Sequence, residues 1–104
     1  MTPKPRRRIA NQLWKYRQRM SFSQRQVAAI LGYVSPYHIS EYERGPKLPS
    51  LTTALKLEIV YRVPVAFLYP ELYRALKDRL RTKEERLRPT WARHEAETTP
   101  HRRG

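Results

Sequence analysis

The chain is 104 residues long, has no cysteine, and sets 22 Lys/Arg against 9 Asp/Glu for a formal net charge of +13 at pH 7. That length suits one domain with a modest core. The composition excludes a disulfide framework and a thiolate metal site, and no apolar run approaches the roughly 18 residues of a spanning helix. So large a positive charge calls for an anionic partner. It is densest at the flanks: residues 1–20 hold seven basic and no acidic residues, and residues 21–70 hold five and three. A basic start with no apolar stretch behind it does not read as a signal peptide.

Residues 1–8, MTPKPRRR, carry two prolines and four basic residues and cannot form a helix interior. They read as a flexible basic arm in which Arg6, Arg7 and Arg8 reach phosphate, or else as a tail that only aids solubility. From Ile9 to Met20 an amphipathic helix is expected, with Ile9, Leu13, Tyr16 and Met20 on its apolar side. Lys15, Arg17, Gln18 and Arg19 are placed toward water, and Trp14 either joins the core or covers it.

Ser23 to Gly45 reads as two short helices with a tight turn between them. Ser23 and Gln26 have the spacing of a capping box, and Val27, Ala28, Ile30 and Leu31 form an apolar face. Gly32 stands where a helix stops. Ser35 caps the second helix and Pro36 takes its first position. Ile39 and Tyr42 face inward, and Gly45-Pro46 ends the element. This relation describes a helix-turn-helix, whose second helix can enter a major groove. Pro36, Tyr37, Ser40 and Glu41 are then the candidates for base contact, Pro36 through apolar contact alone and Glu41 through a cytosine amino group. The set lacks the Arg-to-guanine and Gln-to-adenine pairs that dominate direct readout.

Ser50 is expected to cap a fourth helix from Leu51 to about Tyr61. Leu51, Ala54, Leu55 and Leu57 make its apolar face, widened by Ile59 and Val60. Val63-Pro64 starts a short fifth helix through Leu68, where Val65, Phe67 and Leu68 close the core. Residues 71–87 read as one more helix with a narrow stripe of Leu72, Leu76, Leu80 and Leu87. It either packs back on the domain or pairs with its twin, although the run is short and shows no sustained heptad. Residues 88–104, polar and with two prolines, are expected to be disordered.

The ordered set Ser23-Gln24, Val27-Ala28, Gly32, Ser35, Ile39-Ser40, Tyr42 to Gly45, Pro49 to Leu51, Ala54-Leu55, Leu57, Val63 and Leu68-Tyr69 resembles the Cro/phage-repressor, or XRE, helix-turn-helix family over about Ala10 to Pro70. Two departures stand out. The turn Gly32-Tyr33-Val34 is one residue longer than usual, and Arg62 takes a position where the family usually has glycine. The resemblance implies an all-α, compact five-helix repressor-like domain (residues 9–70), with an extra C-terminal helix and flexible basic ends. It implies phosphate contacts from Gln24, with Arg25 beside it, and from Arg44 and Lys47, and a buried structural role for Glu43. A homodimer contact through Ile59, Val65, Phe67 or Tyr69 follows from the same likeness.

The expected function is a bacterial or phage-type transcriptional regulator, a repressor or autoregulator, that binds double-stranded DNA and is cytoplasmic and nucleoid-associated. Two alternatives stay open. One is an antitoxin or anti-activator that holds an acidic protein partner; the other is a sequence-indifferent nucleic-acid binder. An enzyme is not expected, because no phosphate-cradling glycine loop is present and His38, His94 and His101 have no ligand spacing. Neither a cofactor nor a metal is implied, and no helix combines a basic face with a strongly apolar one for a membrane surface.

Overall fold

The computed structural model describes residues 8–97, with side chains through Trp91. Arg6 and Arg7 therefore lie outside the described residues. Six α-helices follow one another: α1 Leu13–Arg19, α2 Gln24–Leu31, α3 Tyr37–Arg44, α4 Leu51–Tyr61, α5 Val65–Leu68 and α6 Pro70–Glu97. No strand occurs among the described residues. The chain divides into two compact units, Met1–Tyr73 and Arg74–Gly104, so the boundary falls within α6.

In the first unit the helix starts follow local chemistry. Ser23 Oγ accepts from the Gln26 amide at 3.0 Å while Gln26 Oε1 accepts from the Ser23 amide at 2.8 Å, the reciprocal pair expected of a capping box. Ser50 Oγ accepts from the Thr53 amide at 3.2 Å and opens α4. Each cap is worth about 1 kcal/mol. Gly32 ends α2 at φ +93° and Gly45 ends α3 at φ +100°, both in the left-handed region. Arg62 ends α4 in the same region at φ +58°, a conformation for which it lacks glycine's freedom.

Leu13, Val27, Ala28, Leu31, Ile39, Tyr42, Leu57, Tyr61, Leu68 and Tyr69 form one core. α2 packs on α3 and α4, α1 on α3, and α4 on α5. Tyr33, Val63, Val65 and Leu72 close around this cluster. The longer turn is accommodated by a division of labour. Tyr33 docks inward with its hydroxyl 3.1 Å from Thr53 Oγ1, and Val34 is left fully in solvent.

Several expectations need correction. α1 starts at Leu13, not Ile9, because the chain before it is held elsewhere. The Ile9 amide donates to Gly45 O at 2.7 Å, and the Gln12 amide donates to Leu68 O at 2.8 Å. Asn11 Nδ2 donates to Ile9 O at 3.0 Å and to Tyr42 O at 3.1 Å, and its Oδ1 accepts from the Leu13 amide. α3 starts one residue late: Pro36 is its cap residue, and Ser35 Oγ accepts from the Tyr37 amide at 3.3 Å. Arg17 is buried, while Ile30, Leu51, Leu55 and Phe67 are exposed. α4 is apolar nearly all round, so its periodicity does not tell the inner face from the outer one.

In the second unit α6 continues ten residues past Leu87, through Pro89 to Glu97. Pro89 has no N–H to offer the Glu85 carbonyl, which removes one bond of the ladder without ending the helix. Residues 88–97 are thus helical, where disorder was expected. The rest of that segment, 98–104, lies outside the described residues.

Candidate nucleic-acid interface

α3 is anchored from beneath. Ile39 and Tyr42 are buried at 2% and 8% exposure, three residues apart on one face. The next residue, Glu43, turns its carboxylate toward α1. There Arg17 Nε donates to Glu43 Oε2 at 2.5 Å and Arg17 Nη2 donates to Glu43 Oε1 at 3.1 Å, a two-pronged ion pair. Arg17 Nη1 donates to Phe22 O at 3.0 Å, so the same guanidinium also ties the α1–α2 connection. Hydrogen bonding to Glu43 holds the Arg17 guanidinium above its ordinary pKa despite burial.

Gln24 joins this cluster. Its Nε2 donates to Glu43 Oε1 at 2.9 Å, which links the first turn of α2 to the end of α3. The side chain expected on phosphate is therefore engaged internally and half-buried. Its backbone lies at the start of α2, where amide groups and the helix dipole favour an anion.

The outer side of α3 is built differently. Tyr37 is 56% exposed, and its hydroxyl donates to Glu41 Oε2 at 3.0 Å, one helical turn on. The bond to Glu41, and then the carboxylate's charge, raise the Tyr37 pKa, so the hydroxyl stays a donor. Glu41 Oε1 is buried without a hydrogen-bond partner, and the nearest cation is Lys47 Nζ at 3.9 Å. Pro36 and Ser40 are half-buried on the same helix. His38 is exposed beside the rings of Tyr33 and Tyr37, with centroids 4.9 and 5.5 Å away.

Cations surround this helix in sequence. Arg25, Arg44 and Lys47 are exposed on α2, at the end of α3 and in the loop beyond it. Arg8 is exposed as well, and its Nη1 donates to Arg44 O at 3.4 Å, which places the end of the basic arm beside the end of α3. The residues expected at a subunit contact divide. Ile59 and Phe67 are 73% and 54% exposed, and Val65 is half-buried against the core. Tyr69 is 5% exposed and belongs to the core.

Arg17 and Asn11 are the positioning residues that sequence reading missed. Arg17 stands four residues after Leu13, on the buried side of α1, and a charge in that register requires a partner. That spacing was the available signal. Asn11 gave none, since two of its three acceptors, Tyr42 O and Glu43 O, lie more than thirty residues away.

No group of His, Asp or Glu among the described residues could hold a metal ion. No helix there is long and apolar enough to cross a membrane. No curated protein matches the chain, and no solved structure does. The helix-turn-helix family model matches residues 15–68, just over half of the chain and the stretch from α1 to α5. The chain therefore belongs to the helix-turn-helix family of the Cro and phage-repressor type, the XRE family of DNA-binding regulators.

Proposed function

We propose that this protein is a sequence-specific transcriptional regulator that binds DNA as a homodimer and represses by covering a promoter, its own included. The observation that carries this reading is the outer face of α3. The helix is pinned by Ile39, Tyr42 and the Arg17–Glu43 pair, and it exposes Tyr37, with Glu41 Oε2 hydrogen-bonded to it and Ser40 half-buried beside it. In this reading Pro36, Tyr37, Ser40 and Glu41 meet base edges. Arg8, Arg25, Arg44 and Lys47, with Arg6 and Arg7 of the arm, meet phosphates. Gln24 meets a phosphate through its backbone amide, since its side chain holds Glu43. Ile59 and Phe67, with Val65 behind them, form the subunit contact.

A second reading has an observation in its favour. Glu41 Oε2 already accepts from Tyr37, and no Arg, Asn or Gln stands on the outer face of α3 before Arg44. Such a face favours a binder held by charge and nearly indifferent to sequence.

A mobility shift separates the two. DNA from upstream of the protein's own gene is titrated against a random duplex at two salt concentrations. Preference for the upstream DNA above about a hundredfold supports the regulator. Equal, salt-sensitive binding to both supports the second reading, and binding that ignores salt removes both.

A further inference from the structure

The second unit consists of α6 after its first turn, and every described side chain in it is exposed. Among them are four large apolar ones: Leu76 (43%), Leu80 (60%), Leu87 (40%) and Trp91 (49%). Positions 76, 80, 83 and 87 advance by four, three and four residues, the alternation that keeps one stripe facing a partner helix. Leucine fills three of these positions and Lys83 the fourth, with Trp91 at the edge of the stripe one turn beyond Leu87. The helix is long enough to use the stripe, because it runs on to Glu97.

We infer that α6 pairs with α6 of a second copy of this chain, parallel and in register, through Leu76, Leu80 and Leu87. The inference rests on the reading of the protein as a homodimer. It adds a contact separate from Ile59 and Phe67.

The charges beside the stripe choose both the occupant and its direction. Arg79 and Arg86 line one edge of the seam, and Lys77, Glu84 and Trp91 line the other. In a parallel pair each residue on the first edge meets the residue five places later on the second copy. Arg79 then meets Glu84 of the second copy and Arg86 meets its Trp91, an ion pair and a cation–π contact, each made twice. An antiparallel pair would set the row of Arg79 and Arg86 against itself, cancelling its Lys77–Glu84 attractions. Lys83 in the seam lowers stability but penalises slipped registers, and its stem can lie along the leucines with the ammonium in water.

The test uses the full chain, which has no cysteine of its own. Leu76→Cys and Leu87→Cys, each made alone, put one thiol per copy at either end of the seam. Under mild oxidation each variant is expected to form a disulfide-linked dimer by itself. Leu80→Glu, followed by sedimentation, is expected to raise the dimer dissociation constant about a hundredfold or more. Circular dichroism of each variant checks that the helices persist. Crosslinking only when the two cysteine variants are mixed would mean antiparallel pairing and would overturn the inference. No crosslink, or a dimer constant unmoved by Leu80→Glu, would overturn it while leaving a homodimer through Ile59 and Phe67 standing. A monomeric wild-type chain would overturn the seam and the homodimer together.

Discussion

Arg17 on α1 and Glu43 on α3, twenty-six residues apart, hold each other through two hydrogen bonds with both side chains below 10% exposure. A buried pair of this kind stabilises little over an apolar pair of similar size, because both charges have left water. Breaking it is another matter. Arg17→Met leaves Glu43 charged and buried with only Gln24 as a donor, and Glu43→Ala leaves the guanidinium with Phe22 O alone. Each is expected to cost about 3–5 kcal/mol in urea unfolding. The double variant Arg17→Met/Glu43→Leu should cost less than either single change. A double variant as unstable as the sum of the two would mean that the pair is not one unit.

The two turn glycines resemble each other in sequence and differ in space. A Cβ on Gly45 would stand 2.9 Å from Ile9 O and 3.0 Å from Ile9 N, against backbone that the Ile9–Gly45 hydrogen bond fixes in place. A Cβ on Gly32 would meet nothing within 4 Å. Gly32→Ala should therefore cost only the left-handed backbone, about 1–2 kcal/mol. Gly45→Ala adds a collision with the strap that enters α1 and should cost about 2–4 kcal/mol. Equal melting points for the two variants would show that the strap yields.

This contrast shows what could be read from the chain alone. The caps at Ser23 and Ser50 and the stops at Gly32 and Gly45 were legible, because each depends on residues within one turn. The start of α1 was not, since Ile9 and Asn11 bond to Gly45 and Tyr42, more than thirty residues away. Burial of Arg17 needed Glu43, although its register after Leu13 hinted at it. The inner face of α4 was hidden because Leu51, Leu55 and Ile59 are as apolar as the residues it buries. Residues 88–97 read as disordered because the segment is polar and contains Pro89, yet a helix can lose one bond and continue. At the site, the exposure of Tyr37 and the burial of Ile39 and Tyr42 were legible from periodicity, while Ser40 and Glu41 are only partly exposed. The Tyr37–Glu41 and Gln24–Glu43 bonds were not legible, because rotamers are chosen by neighbours.

Arg62 sits at φ +58°, where the family usually has glycine. An L side chain there costs about 1–2 kcal/mol, and glycine returns part of that as unfolded-state entropy. Arg62→Gly should raise stability by about 0.5–1 kcal/mol and leave the helix content unchanged. A loss of stability would mean that the arginine side chain makes a contact that outweighs its backbone.

Alkali should unfold the protein through its buried tyrosines. Burial raises the Tyr42 pKa to about 12 from an ordinary 10.0, and it raises Tyr61 and Tyr69 further. A group whose folded pKa lies above its unfolded value contributes stability that is complete below the unfolded value and lost as pH rises through the folded one. Tyr33 works in the opposite sense through its bond with Thr53, one group against these three and the exposed Tyr37. Unfolding free energy should therefore hold up to about pH 10 and fall steeply toward pH 12, followed by tyrosinate absorbance. Tyr69→Phe should flatten that fall. It also removes a hydroxyl buried without a hydrogen-bond partner among the described residues, so stability below pH 10 should not drop.

Charge and readout should come apart on α3 and its flanks. A side chain that neutralises one phosphate contributes about 0.9 to the slope of log affinity against log salt, whatever the DNA sequence. Arg25 and Arg44 are exposed cations with no acidic partner among the described ion pairs. Arg25→Ala and Arg44→Ala should each lower the slope by about 1 and weaken upstream and random DNA alike. Lys47 already faces Glu41 at 3.9 Å, so Lys47→Ala should lower the slope by less. Tyr37→Phe removes no charge. It does free Glu41 Oε2, the acceptor that the Tyr37 hydroxyl now occupies. The slope should stay fixed while the ratio of upstream to random affinity changes. If that ratio does not move, α3 is not reading bases through this pair, and the charge-held, sequence-indifferent mode is the better account.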